Sequence, residues 1–234
     1  MFQKIKILLR SNPYTANAYK KLYQDKKLFI AKQRNMALRI YGKMALKKIQ
    51  KCIDKSDAIT FFDMGTALGL VRDGCLLKHD LDIDVGIVSD DEKCVDEFCE
   101  SLVRQGFQLK YCCKVKSLGV IEKSFIWKNI KVDVSFYHNE ADKSICYLLY
   151  KHPDDDKNND IYYVVQLTVP EINATQKIPA IGSHFSVPAF PERYLESRYG
   201  MNWRTPDRNY VYWNGPSTSR TNHEGEIIIE SSHS

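Results

Sequence analysis

Acidic residues are nearly missing from the first quarter of this chain. Residues 1–55 hold fifteen Lys and Arg but only Asp25 and Asp54, whereas all 234 residues together net only +5. The remainder is therefore acidic by about eight charges, and the two signs are segregated along the sequence. Such a split predicts a basic surface on an amino-terminal arm and an acidic site elsewhere. The arm reads either as a solvated helical face or as a contact for an anionic partner, a membrane surface or a charged polymer.

Long apolar runs are also missing. Nothing approaches the ~18–20 residues that a membrane span needs. The opening MFQKIKILLR is too short and too charged for a secretory signal, which leads to the expectation of a cytoplasmic protein. Seven cysteines show no CxxC spacing and no paired framework, so they read as reduced, apolar side chains. Nothing in their spacing argues for zinc. Repeats and low-complexity segments are absent too. What is present, 44% hydrophobic and 27% charged residues, predicts a globular domain with a real core.

The pattern predicts a helical arm followed by a mixed α+β region. Residues 15–53 read as helix, with Met36, Ile40, Met44 or Leu46, and Ile49 at three-to-four spacing. Residues 59–64 read as a strand that turns at Gly65-Thr66 into a short helix, and 81–88 as an alternating strand. Ser89 is expected to cap a helix over 89–107. Strands are expected near 108–115, 118–127 and 130–138, the last two joined tightly at Lys128-Asn129. A polar loop from His152 leads into a strand over 162–169, and a strand, a turn and a short helix follow over 182–200. The boundaries expected are an arm at 1–55, a catalytic domain at 56–216 and a tail at 217–234 with a loose end.

The chemistry concentrates in GTALGLVRDGCLLKHDLDIDVGI, residues 65–87. Asp82 and Asp84 are two apart on a strand, so they share a face, while Leu81, Ile83 and Val85 hold the strand to the core. Paired carboxylates repel unless a cation lies between them or one is protonated. Hard oxygen donors favour magnesium or manganese. Asp133, between Val132 and Val134, is expensive to bury unless paired or metal-bound. If its strand lies beside the other, three carboxylates converge and suit phosphoryl transfer. Gly65 permits close backbone approach, and Thr66 offers a hydroxyl and an amide to a phosphate. Arg72 and Lys78 read either as phosphate-neutralising cations or as ordinary surface ones.

The block resembles the LicD/fukutin-type family of the nucleotidyltransferase superfamily. That family's motif runs roughly Gly-Thr-x-Leu-Gly-x-x-Arg-x-Gly, then Trp or His, then Asp-x-Asp-Ile-Asp. His79 stands where many members have Trp, Asp80 follows it, and Leu81 stands where many have a further Asp. RYGMNWRTP, residues 198–206, is similar to the family's Tyr-Gly-x-x-Trp-x-x-Pro. The resemblance covers about residues 58–216 and implies a nucleotidyltransferase-like mixed sheet flanked by helices. It implies a transferase that moves a phospho-alcohol, phosphocholine-like or ribitol-phosphate-like, from a CDP-activated donor to a hydroxyl of a surface glycan, releasing CMP. The acceptor would be a glycan, free or lipid-linked. Peripheral contact with the inner face of a membrane is the role expected of the arm. A nucleic-acid partner is not expected, since the candidate site is acidic.

If the cargo is choline, the aromatic segment with Tyr199, Trp203, Tyr210, Tyr212 and Trp213 would cage it by cation–π attraction; otherwise these rings close the core. Arg193, Arg198 and Arg204 alternatively read a phosphate or an anionic acceptor. Two other readings remain: transfer of NMP to a protein, small molecule or RNA with pyrophosphate release, and a catalytically inactive binding module.

Overall fold

The computed structural model describes residues 13–151, 161–207 and 209–229. It is a mixed α+β fold. Helix α1 (Pro13–Ile53) is rich in Lys, Ala, Leu and Gln, all good helix formers, and at 41 residues runs about 60 Å. Among the described residues no helix is long and apolar enough to cross a membrane.

Strands β1 (Ile59–Phe62) and β2 (Asp82–Val88) pair antiparallel, with the short helix α2 (Met64–Leu68) and a π-helical turn (Gly69–Asp73) between them. Helix α3 (Glu92–Arg104) leads to β3 (Gln108–Val115), β4 (Gly119–Trp127) and β5 (Ile130–Glu140). Asp91, rather than Ser89, caps α3, its carboxylate accepting from Lys93 N at 2.9 Å. Lys128 and Asn129 both have positive φ, as a tight two-residue hairpin turn requires.

Two further strands were not expected from sequence, β6 (Lys143–Tyr150) and β8 (Thr175–Ala180). They accompany β7 (Ile161–Pro170), β9 (Ser183–Pro188) and helix α4 (Pro191–Tyr199). The expected carboxy-terminal tail is also corrected. Residues Thr218–Ile229 form β10, which pairs antiparallel with both β3 and β7 and so lies inside the sheet. The tail's last residues, 230–234, and most of the polar loop that begins at His152 lie outside the described residues.

The strand order is β1-β2-β5-β4-β3-β10-β7-β6, and β5 pairs again with β6 through Tyr137–Glu140. Strands β5, β4, β3, β10, β7 and β6 therefore close into a ring. Ile83, Val85, Val132 and Val134 face outward against α1 and α3. The alternate residues of β2 and β5, Asp82, Asp84 and Asp133, face the other way, toward the ring's inner side.

The apolar face expected on α1 is split in the structure. Leu46 and Ile49 are fully buried against the sheet, but Met36, Ile40 and Met44 are 65%, 62% and 50% exposed. Three-to-four spacing ran two opposite faces together, because the period alone does not say which face meets the core. Leu46→Ala is accordingly expected to cost about 3 kcal/mol. Met44→Ala is expected to change stability by no more than about 0.5 kcal/mol. Urea unfolding of the two variants checks the assignment.

Candidate active site

The site is built on the first two strands and the turn between them. β1 ends at Phe62, and Asp63 caps α2 by accepting from Met64 N at 2.7 Å. Met64 has φ +41°, an uncommon value for a residue with a side chain, and such strain gathers at functional turns. Asp63 N donates to Asp84 O at 3.0 Å, which locks the turn to β2. Thr66 is fully buried, and its hydroxyl accepts from Asp84 N at 2.9 Å. That bond ties the turn to the strand and holds Asp84 in place.

β2 and β5 run parallel, and their register sets Asp84 beside Asp133 and Asp82 beside Lys131. All four share one face. Lys131 Nζ lies 3.3 Å from Asp82 Oδ2 and 2.5 Å from Asp133 Oδ2, so one ammonium bridges two of the acids. The other Asp133 oxygen accepts from Ser124 Oγ of β4 at 2.5 Å. Burial, and the charges of Asp82, Asp133, Asp80 and Asp63, push the Asp84 carboxyl well above its ordinary range. Burial raises Asp82 as well, against the attraction of Lys131. Burial lowers the affinity of Lys131 for its proton, but Asp133 and Asp82 more than reverse that and hold the ammonium charged.

A fourth carboxylate stands close by. Asp80 is pushed up to about 7 by burial and by the charge of Asp82. Its Oδ2 is buried with no hydrogen-bond partner. Its backbone oxygen accepts from Asn35 Nδ2 of α1 at 2.9 Å. A Cβ on Gly65 would fall 3.4 Å from Asp84 Oδ2 and 3.6 Å from Asp80 Oδ1. The glycine thus leaves open the space beside both acids.

Among the described residues, no three His, Cys, Asp or Glu side chains form a ready-made cation cage. The donor chemistry nevertheless fits a divalent ion. Three hard-oxygen side chains share a face, one neighbouring carboxylate oxygen is orphaned, and a single positive charge already sits between two of the acids. Asp82, Asp84 and Asp133 are the residues able to hold such an ion, with Lys131 giving way.

The other expected site residues divide. Lys78 and His79 are exposed at the rim. Arg72 is already committed to Asp73, with Nε and one terminal nitrogen each 2.9 Å from a carboxylate oxygen. Trp203 is buried at 5% exposure in a cluster with Tyr194 and Leu195. Arg204 lies over the Trp203 ring at 4.2 Å and pairs with Glu192 at 2.7 Å. Trp213 stacks on Tyr150 at 5.8 Å and meets Tyr212 edge-on at 4.9 Å. Tyr212 donates to Leu149 O at 2.9 Å, and the rise of its phenol, mainly from burial, draws also on Glu122 and Asp133. The phenol of Tyr199, raised mainly by burial, feels Asp84.

Sequence reasoning missed a buried network behind the site. Asp63 accepts from Tyr137 OH at 2.9 Å and from Tyr194 OH, and burial raises its carboxyl despite these bonds. Arg198, 1% exposed, donates to Tyr210 OH at 2.5 Å. The rule that flagged Asp133, an acid inside an apolar run, applies equally to Asp63 in FFDM. Lys131 was legible too, since it stands two residues before Asp133 on the same face.

The raised Asp80 carboxyl has a consequence for stability. A carboxyl lifted in the folded state stabilises fully below its unfolded value, near 4, and loses that contribution as pH rises toward 7. In a chelator, the wild type should lose stability across that window. Asp80→Asn should flatten the decline and be the more stable protein at pH 8, by urea unfolding at several pH values.

Residues 58–189 match the family model described as LicD/FKTN/FKRP, nucleotidyltransferase domain. A search of curated proteins found no match.

Proposed function

We propose, from the premise that this chain belongs to the LicD/FKTN/FKRP nucleotidyltransferase family and is a transferase, that it moves a phospho-alcohol from a CDP-activated donor to a sugar hydroxyl. The observation that carries the proposal is the parallel register of β2 and β5, with Asp84 beside Asp133 and Asp82 beside Lys131. Asp82, Asp84 and Asp133 would hold magnesium or manganese. Bound there, the ion would offset the charge of the donor's diphosphate and of CMP as it leaves.

The chain's own groups account for the rest. Asp133, oriented by Ser124, takes the proton of the acceptor hydroxyl as its oxygen forms the new bond to phosphorus. The bond from that phosphorus to the CMP oxygen breaks, and CMP carries away the electron pair. Gly65 leaves room for the diphosphate beside the acids. Lys131, freed from bridging Asp82 and Asp133, is a cation able to meet a phosphate oxygen. Catalysis of this kind rests on positioning and on charge stabilisation. The acceptor would be a hydroxyl of a glycan being built at a membrane.

Incubating the protein with magnesium, a panel of CDP-alcohols and a sugar acceptor should release CMP for one member. Asp84→Ala should reduce that release by about a thousandfold or more, the scale of losing a central charge-stabilising group. Pyrophosphate release from a nucleoside triphosphate, with no CMP from any CDP-alcohol, would instead make this a nucleotide transferase. Arg72→Ala, which breaks an ion pair with Asp73, is expected to raise the donor KM by no more than about tenfold.

A further inference from the structure

Helix α1 carries a second apolar face that the body of the protein does not cover. Leu22, Phe29, Met36, Ile40 and Met44 are 69%, 60%, 65%, 62% and 50% exposed. At about 100° per residue they fall within roughly 80° of one another, opposite Leu38, Ala45 and Ile49, which are buried. The stripe runs from the part of the helix that packs on the sheet into the part that projects past it, where residues 20–30 are all exposed. Five exposed apolar side chains in one line are not the scatter of a normal surface.

The charges beside the stripe choose its occupant. Between Pro13 and Ile53 there are eleven Lys or Arg and one acid, Asp25. Lys26, Lys32, Lys43 and Lys47 are exposed at the margins of the stripe or in line with it. A second copy of this chain would set lysines against lysines. A helix with an apolar stripe flanked and interrupted by lysines matches the boundary between acyl chains and anionic headgroups.

We infer that this outer face of α1 is a docking surface for an anionic lipid bilayer, on which the helix lies flat. The inference deepens the proposed function, by giving the expected membrane contact a surface, but does not rest on its chemistry. The same rigid helix holds the loop beside the carboxylates. Asn35 Nδ2 donates to Lys78 O and Asp80 O, both at 2.9 Å, and Arg39 donates to Lys78 O at 3.3 Å. Docking the helix therefore holds the loop beside the acids at a fixed height over the lipid, on a side of the helix turned away from the surface that would repel them.

The test is flotation of the full chain with phosphatidylcholine vesicles, with and without about 30% phosphatidylglycerol. The chain should float with the anionic vesicles only. Leu22→Gln, Phe29→Gln and Met36→Gln combined should lower its partitioning by about tenfold or more, with Tm and solution mass unchanged. Neutralising Lys26, Lys32, Lys43 and Lys47 to Gln should lower it by a similar factor. Equal flotation with neutral vesicles, no flotation at all, or flotation indifferent to the stripe substitutions would overturn the inference. So would a solution dimer that the stripe substitutions dissociate. No donor or metal is present in this assay, so its failure and a failure of CMP release with a soluble acceptor are separate results.

Discussion

The interaction on which the site depends is the repulsion among Asp82, Asp84 and Asp133 and its relief by Lys131. Two strands in parallel register bring these carboxylates onto one partly buried face, where Asp82 and Asp133 raise the cost of charging Asp84. A fold keeps such an arrangement with positive charge between the acids or with one of them protonated. Here the charge is an ammonium tied to two of them. An ammonium is a compact point charge on a flexible stem, and a divalent ion meets the same need with twice the charge. The proposed chemistry amounts to exchanging one for the other.

The surroundings hold that face rigid. Asp84 is pinned at its amide by Thr66 and at its carbonyl by Asp63 N. Asp63 is itself enclosed by Tyr137 of β5 and Tyr194 of α4, so helix and sheet meet on a single buried carboxylate. Ser124 fixes Asp133 from the strand on its other side. The outward faces of β2 and β5 are apolar and packed under α1, which leaves the acids no alternative orientation. Rigid support of this kind is what a site that acts by positioning requires.

Much of this was legible in the sequence, and the misses have physical causes. The alternation in LDIDVGI and the lone acid in IKVDVSF report which side chains face the core, and each strand carries that pattern within itself. The α+β class and the helix over residues 92–104 rested on equally local signals of period and capping. What local signals do not carry is which strand pairs with which. Only Ile227, Ile228 and Ile229 of β10 are apolar and the rest is polar and mostly exposed, so it reads as a tail until β3 and β7 receive it. β8 is mostly exposed on a hairpin, with little apolar patterning to find. The arm misled for a different reason: it has two apolar faces, and summing over a period merges them. Sequence left the aromatic segment open between a cage and core closure, and Trp203 is buried with Tyr194 and Leu195.

The most direct measurement of the central claim is binding of Mn2+, followed by its paramagnetic resonance as the protein is titrated into the ion. The account predicts saturable binding to the wild type, loss of that binding in Asp84→Ala, and tighter binding in Lys131→Met, where no ammonium competes for Asp82 and Asp133. Manganese that stays free in the presence of the wild type, or binding that survives loss of both Asp84 and Asp133, would contradict it.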